Sequence, residues 1–286
     1  MTIGLNYKLS GDSAHVAMAA NLPASVFKAP SPPADWEIDA GVRYWYSNGK
    51  MQKDLYSNLT HQQLNSRLIY GDMNGHSLEA FVRFDHRSGL FIKGNFGAGT
   101  LVNGKLFDED QPPDNNPYSN TLSQMKNGSL RFGSIDLGYN LLSGPAGKLG
   151  PYVGYHYFYQ LGRGFGCNQV GPGNVCVPTV SVDNLGLGET EQWRGVAVGL
   201  NSKMPITNRL TFEADAAFLP YVDRAGVDNH WFRPDINPGP ETGRGWGANV
   251  EGILTYAVSK NWSVGAGGRY WYFATVNGAF QFPGNP

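Results

Sequence analysis

The sequence predicts an antiparallel transmembrane β-barrel, all-β and ten-stranded, and three observations predict it. Apolar and polar residues alternate over ten or more positions in several segments. Short and long connections alternate between those segments. The composition is rich in glycine and aromatics and poor in charge: of 286 residues, 38 are glycine, 13% are aromatic and only 16% are charged, against ~25% charged in an average soluble protein. A disordered chain is poor in aromatics and rich in charge, so disorder is excluded as a description of the whole. No apolar run approaches the ~18 residues of a membrane-crossing helix, and mean hydropathy is -0.34. A net charge of -1 offers no electrostatic case for nucleic acid.

Taken in order, residues 1–33 read as a leader and linker, mostly disordered, and residues 34–286 as the barrel domain. From Trp36, one parity runs Trp36, Ile38, Ala40, Val42, Tyr44, Tyr46 and the other Glu37, Asp39, Gly41, Arg43, Trp45. Strands are predicted near 36–47, 65–85, 89–105, 128–142, 149–161, 190–204, 208–221, 245–258 and 261–275. The second is long because Gly71 to Gly75 reads as an irregularity within it. The apolar parity begins or ends in Tyr or Trp, as an aromatic girdle requires, while the other mixes charge with glycine, as a crowded lumen requires. A soluble sandwich would not need strands so far beyond the usual ~5–6 residues. Long connections at 48–64, 107–127, 162–190 and 222–244 face outward from the cell in this reading, with short turns on the periplasmic side. Nine strands leave one position of an even-numbered barrel open. Either the tenth is missing, or residues 2–9, which read like a closing strand, supply it.

No apolar core of a signal peptide lies within residues 1–20, although a barrel needs export. Cys167 and Cys176 share the longest predicted loop. Outside the cell they predict a disulfide, which would stabilise the loop by ~2–3 kcal/mol. Without clustered histidines they do not predict a zinc site.

Two short motifs carry chemistry. Phe107-Asp108-Glu109-Asp110-Gln111 follows the third strand counted from Trp36, and Val227-Asp228-Asn229-His230-Trp231 follows the seventh. In extended backbone, residues i and i+2 point the same way, so Asp108 and Asp110 present two carboxylates together, and Asp228 and His230 a carboxylate with an imidazole. Four strand positions around a ten-strand ring set the two pairs opposite each other across the mouth. An imidazole oriented by Asp228 suits a general base on water, and a facing carboxylate pair with a shared, raised pKa suits holding that water and returning a proton.

This layout resembles the omptin family of outer-membrane aspartyl-type endopeptidases, in which Asp-x-Asp follows the third strand and Asp-x-His the seventh. The resemblance runs loosely from Trp36 to Tyr272, through Ser47-Asn48-Gly49-Lys50, the long second strand, Ile135 to Leu142, and Leu149 to Tyr155. It implies a peptide-bond hydrolase with catalytic Asp108, Asp110, Asp228 and His230, acting as a monomer on peptides or surface proteins. It also implies outer-membrane lipid and lipopolysaccharide as partners, lipopolysaccharide being required for activity, with no metal or other cofactor. Two departures bear on substrate preference. Gly226 stands two residues before Asp228, where an acid is expected for an arginine-like substrate, and Pro112-Pro113 follow the Asp pair. Asp54, Asp114, Asp223 and Asp235 are the nearby acids.

Glu37, Asp39, Arg43, Glu79, Arg83, Lys93, Asp136, Glu213, Asp215, Glu251 and Arg269 share the lumen parity. They read as a salt-bridged plug filling a narrow bore, with His156 as a lumen packer. The competing functions are a catalytically silent adhesin or structural barrel, and a small porin.

Overall fold

The computed structural model describes residues 2–10 (by backbone), 35–57, 60, 62–110 and 119–283. Its strands are β1 (Thr2–Ser10), β2 (Trp36–Tyr56), β3 (Leu64–His86), β4 (Leu90–Asp110), β5 (Ser119–Met125), β6 (Gly128–Tyr139), β7 (Leu142–Gly144), β8 (Gly147–Gln169), β9 (Val180–Pro205), β10 (Leu210–His230), β11 (Gly239–Ala257) and β12 (Trp262–Phe280). All pairings are antiparallel, and they return to their start. β1 pairs β2, the ladder passes through β3 to β4, and β5 and β6 together bridge β4 to β8. It then runs through β9, β10 and β11 to β12, which pairs β1. β5 and β6 occupy one position, broken at Asn127, whose φ is 56°; β7 is a short arm against β8. The ring therefore has ten positions, and residues 2–10 fill the tenth. Of the leader expected over 1–33, that stretch is strand, while residues 11–34 lie outside the described residues.

An apolar belt follows from the predicted parity. Val42, Leu78, Phe96, Ile135, Val153, Val196, Val198, Leu200, Phe218, Val250 and Val264 are all exposed. Trp36, Tyr139, Tyr256 and Trp262 border the belt at the short-turn end, and Tyr44, Tyr46, Tyr155, Tyr221, Trp246 and Tyr272 toward the other. A patch of this extent is unstable in water and matches the aromatic-bordered lipid face of a membrane barrel. Inside the belt, Arg43 and Arg269 share Glu79 at 3.1 and 2.6 Å, and Arg43 also reaches Glu251 at 3.2 Å. Lys203 joins Asp39 and Glu213 at 3.1 and 3.2 Å, Lys93 joins Asp215, and His156 Nε2 lies 2.9 Å from Asp136. The lumen charges form the predicted plug, leaving a cavity of only about 100 Å³ among them.

The strands are longer than the alternation predicts. All nine from Trp36 onward are present, but β2, β4, β8, β9, β10 and β11 continue well into segments expected as loops. Lipid imposes strict alternation only within the belt. Beyond it the outward face need no longer be apolar, so pairing persists while the sequence signature fades, although Leu68, Tyr70, Leu106 and Leu187 still pack together inside.

Candidate active site

The site lies at the mouth, beyond the upper aromatic row. On β4, Phe96 and Val102 face outward, but Leu106 is fully buried, so the inward parity changes between them. The change coincides with shifted pairing of Gly71 to Gly75 against Leu101 to Lys105. Gly104 sits there at φ +156° with Gly71 O only 3.0 Å from where a Cβ would stand, a position suited to glycine. Asp108 and Asp110 share the inward parity of Leu106.

β10 carries a similar device. Three steps along β10, Phe218 to Tyr221, oppose two on β9, Val198 to Val196, and three steps from Leu219 to Val222 oppose two on β11. The extra residue is a bulge. Below it the odd residues Glu213 and Asp215 face the lumen; above it the even residues Val222, Arg224 and Asp228 are buried inside. Asp228 and His230 thus end the strand pointing into the mouth, on the wall across the ring from β4.

Asp228 is completely buried. Its Oδ1 lies 3.3 Å from His230 Nδ1, close but not aligned as a hydrogen bond, since neither atom has such a partner. The backbone N–H of His230 donates to Asn237 Oδ1 at 3.2 Å. The two walls are electrically coupled, Asp108 with Asp228 and Asp110 with His230. Burial, then the charges of Asp110 and Asp228, pushes Asp108 up to about 7. Burial lowers His230 below the ordinary imidazole value, against the opposing pull of Asp228. The mouth therefore sets a carboxyl that holds its proton near neutrality across from an imidazole that has released its own.

A second set of residues was missed by sequence reasoning. Lys53 on β2 donates to Asp228 Oδ2 at 2.5 Å, Glu189 Oε2 at 2.6 Å and Glu241 Oε1 at 2.7 Å, all buried. Arg224 grips Glu191 through Nε at 2.7 Å and also reaches Glu241. Glu189 faces Asp228 in the ladder, and Glu241 faces Gly226. Glu241 Oε2 lies 3.7 Å from where a Gly226 Cβ would be, so a neighbouring strand supplies the carboxylate absent at 226. Oxygens of Glu189, Glu191 and Glu241 fall within 4.8 Å of one another, a spacing that suits a metal, but Lys53 and Arg224 already engage them. The parity of β2, continued past Arg43 and Trp45, would have found Lys53. Glu241 lay in a predicted loop and gave no signal.

The described acids named from sequence have other partners. Asp54 pairs with Arg67 at 2.8 Å, Asp223 accepts from Tyr221 at 3.0 Å, and Asp235 pairs with Arg233 at 2.7 Å; Asp114 and Pro112-Pro113 lie outside the described residues. Cys167 and Cys176 are joined in a disulfide, with Cα atoms 5.6 Å apart.

No family model matches the chain, and no curated protein matches its sequence. Among solved structures it is similar to the outer membrane protease OmpT from Escherichia coli, with a TM-score of 0.70 and 15% identity, covering 86% of this chain and 90% of that one. At this identity the likeness is one of fold: the chain has an omptin-like barrel.

Proposed function

We propose that this chain, an omptin-like barrel, is an outer-membrane endopeptidase that hydrolyses accessible, unstructured peptide segments at its mouth. One observation carries the reading. Asp108 and Asp110 face Asp228 and His230 across the same opening and are electrically coupled to them, with Asp108 shifted up and His230 shifted down, which is how a site divides acid from base. Neutral His230 takes a proton from water as that water attacks the peptide carbonyl. Asp228, which accepts from Lys53, stabilises the imidazolium that forms. Asp110 helps to hold the water, and Asp108 delivers its proton to the departing amine, after which His230 returns a proton to restore it.

The outer membrane is the compartment this reading requires, with the mouth toward the outside and lipopolysaccharide as the lipid partner. Purified, refolded chain with lipopolysaccharide, its folding confirmed by heat-modifiable migration, is expected to cleave members of a mixed peptide library. His230→Ala is expected to lower turnover by ~10²–10⁴-fold, the usual contribution of a general base. A folded wild type that cleaves nothing in the presence of lipopolysaccharide would overturn the reading in favour of a non-catalytic barrel.

A further inference from the structure

Beneath the two motifs, inward side chains run in rows across the strands. Lys53, Leu68 and Asp108 form one row on β2, β3 and β4, and Met51, Tyr70 and Leu106 form the next one down. On the facing wall, Gly162 of β8 pairs Glu189 of β9, which pairs Asp228 of β10. Tyr70 connects the two walls. A Cβ on Gly162 would lie only 3.0 Å from Tyr70 Cε1, so the ring crosses from β3 to the space that glycine leaves on β8. Leu68, Leu106, Met125 and Leu187 pack around it, making an apolar floor to the mouth. The hydroxyl therefore ends near the row that holds Glu189 and Asp228, and these two carboxylates lead those electrically coupled to it.

Tyr70 is completely buried, and its hydroxyl has no hydrogen-bond partner among the described residues. Three buried polar atoms of the facing wall share that condition: Glu189 Oε1, Asp228 Oδ1 and His230 Nδ1. Their groups are gathered tightly. Lys53 Nζ holds the other oxygens of Glu189 and Asp228 at 2.6 and 2.5 Å, and Nδ1 lies 3.3 Å from Asp228 Oδ1. Buried polar atoms are costly unless bonded, and a converging set of them suits the two to four bonds of an internal water. The donors and acceptors balance. Asp228 Oδ1 accepts, an Nδ1–H donates, and a hydroxyl does either. Tyr70 can therefore complement Glu189, whose pKa burial raises against the opposing pull of Lys53. A metal suits the place less, because Lys53 already supplies positive charge to both carboxylates.

We propose that Tyr70, Glu189, Asp228 and His230 together bind one internal water beneath the site, and that Tyr70 is thereby a positioning residue for the imidazole. This water is distinct from the one that attacks the peptide. Which ring nitrogen carries the proton is set by the hydrogen bond the other makes. With Nδ1–H donating to the internal water, Nε2 is left bare, as a general base must be. The catalytic consequence rests on the protease reading; the water and the tautomer it fixes do not.

The test compares the wild type with Tyr70→Phe, which keeps the ring against Gly162 and removes only the hydroxyl. A crystal structure of the wild type that resolves waters is expected to show one within hydrogen-bond reach of Tyr70, Asp228 Oδ1 and His230 Nδ1. In detergent, with 15N-labelled histidine and a pH above the ordinary imidazole value, the His230 signal is assigned by its loss in His230→Ala. The wild type is expected to hold a single tautomer protonated on Nδ1, and Tyr70→Phe a mixture of both. In Tyr70→Phe, kcat is expected to fall by about tenfold with KM unchanged, the lower end of what outer partners of a ligating imidazole contribute. No water at Tyr70, a wild-type proton on Nε2, or a tautomer that Tyr70→Phe leaves unchanged overturns the proposal. So does a higher unfolding midpoint in the variant, since removing an unsatisfied buried hydroxyl stabilises whereas removing a bonded one does not. A fall in kcat with the tautomer unchanged would likewise overturn it, leaving Tyr70 a packing role. Cleavage by a wild type whose tautomer ignores Tyr70 would keep the protease reading and remove this one; a tautomer that depends on Tyr70 in a chain that cleaves nothing would do the reverse.

Discussion

At the scale of single residues, Asp228 is the hinge of the site because its two oxygens serve different partners. Oδ2 accepts from Lys53 and Oδ1 lies against His230. Lys53 is also the counter-charge of Glu189 and Glu241, so a cation belonging to the chain already occupies the acidic pocket. The wild type is therefore expected to show no preference for lysine or arginine at the position that meets this pocket, and Lys53→Ala is expected to create one. The measurement is the ratio of kcat/KM for lysine-containing and neutral peptides; a ratio unmoved by the substitution would place the pocket beyond the substrate's reach. Lys53→Met, which fills the space without the charge, is expected to lower stability by about 3–5 kcal/mol, the cost of leaving buried carboxylates uncompensated. The titrations give a further expectation. The proposed mechanism needs His230 neutral and Asp108 protonated, so kcat/KM should rise with pH below the ordinary imidazole value, as His230 deprotonates, and fall as Asp108 ionises at about 7. Asp108→Asn is expected to abolish the alkaline limb together with most of the rate. Because the folded pKa of Asp108 is raised, its favourable contribution to stability is complete below the unfolded value of ~3.9 and is lost as pH rises through about 7. Asp108→Asn should accordingly stabilise the mouth most above neutrality, read as a smaller decline of the unfolding midpoint with pH.

At the scale of elements, the bulge in β10 decides whether the motif is a site at all. Alternation predicts Glu213 and Asp215 inside and Phe218 outside, and the structure agrees. A regular strand continuing that parity would turn Asp228 and His230 outward. The extra residue among Leu219, Pro220 and Tyr221 reverses the count, and proline, lacking an N–H, suits a position where the ladder is broken. The i, i+2 reading of both motifs was legible because each lies on extended backbone. The reversal in β10 was not, since its bulge leaves no periodic trace, whereas Gly71 to Gly75 did signal the shifted pairing beneath the Asp pair. Lys53 and Glu241 escaped for a related reason: the outer halves of β2 and β11 lie beyond the belt, where no lipid enforces alternation, and their polar residues read as loop. Deleting Pro220 should restore an unbroken strand and rotate Asp228 and His230 away from the mouth. The expected outcome is a barrel that still migrates heat-modifiably, its belt unchanged, with activity reduced at least as far as by His230→Ala. Retained activity would mean that the ladder re-forms its bulge elsewhere.

At the scale of the whole molecule, the barrel divides into a lower lumen filled by ion pairs and an acid-rich mouth. Arg43 in the plug and Lys53 in the mouth are ten residues apart on β2, roughly 30 Å along an extended strand, several Debye lengths at physiological salt. The two charge networks should therefore respond separately to substitution. Glu79 is buried and accepts from both Arg43 and Arg269, so Glu79→Gln leaves two guanidiniums with weakened partners and is expected to cost about 3–5 kcal/mol. That loss should appear as a lower unfolding midpoint, while kcat/KM of the fraction that remains folded stays at the wild-type value. The same substitution also tests the small-porin reading. With only about 100 Å³ open among the plug residues, the wild type is expected to pass no steady current in a planar bilayer. Because Glu251 still holds both Arg43 and Arg269, Glu79→Gln should add at most brief openings. A steady current through the wild type would mean that the lower lumen is a pathway rather than a seal, and the mouth would then be its vestibule.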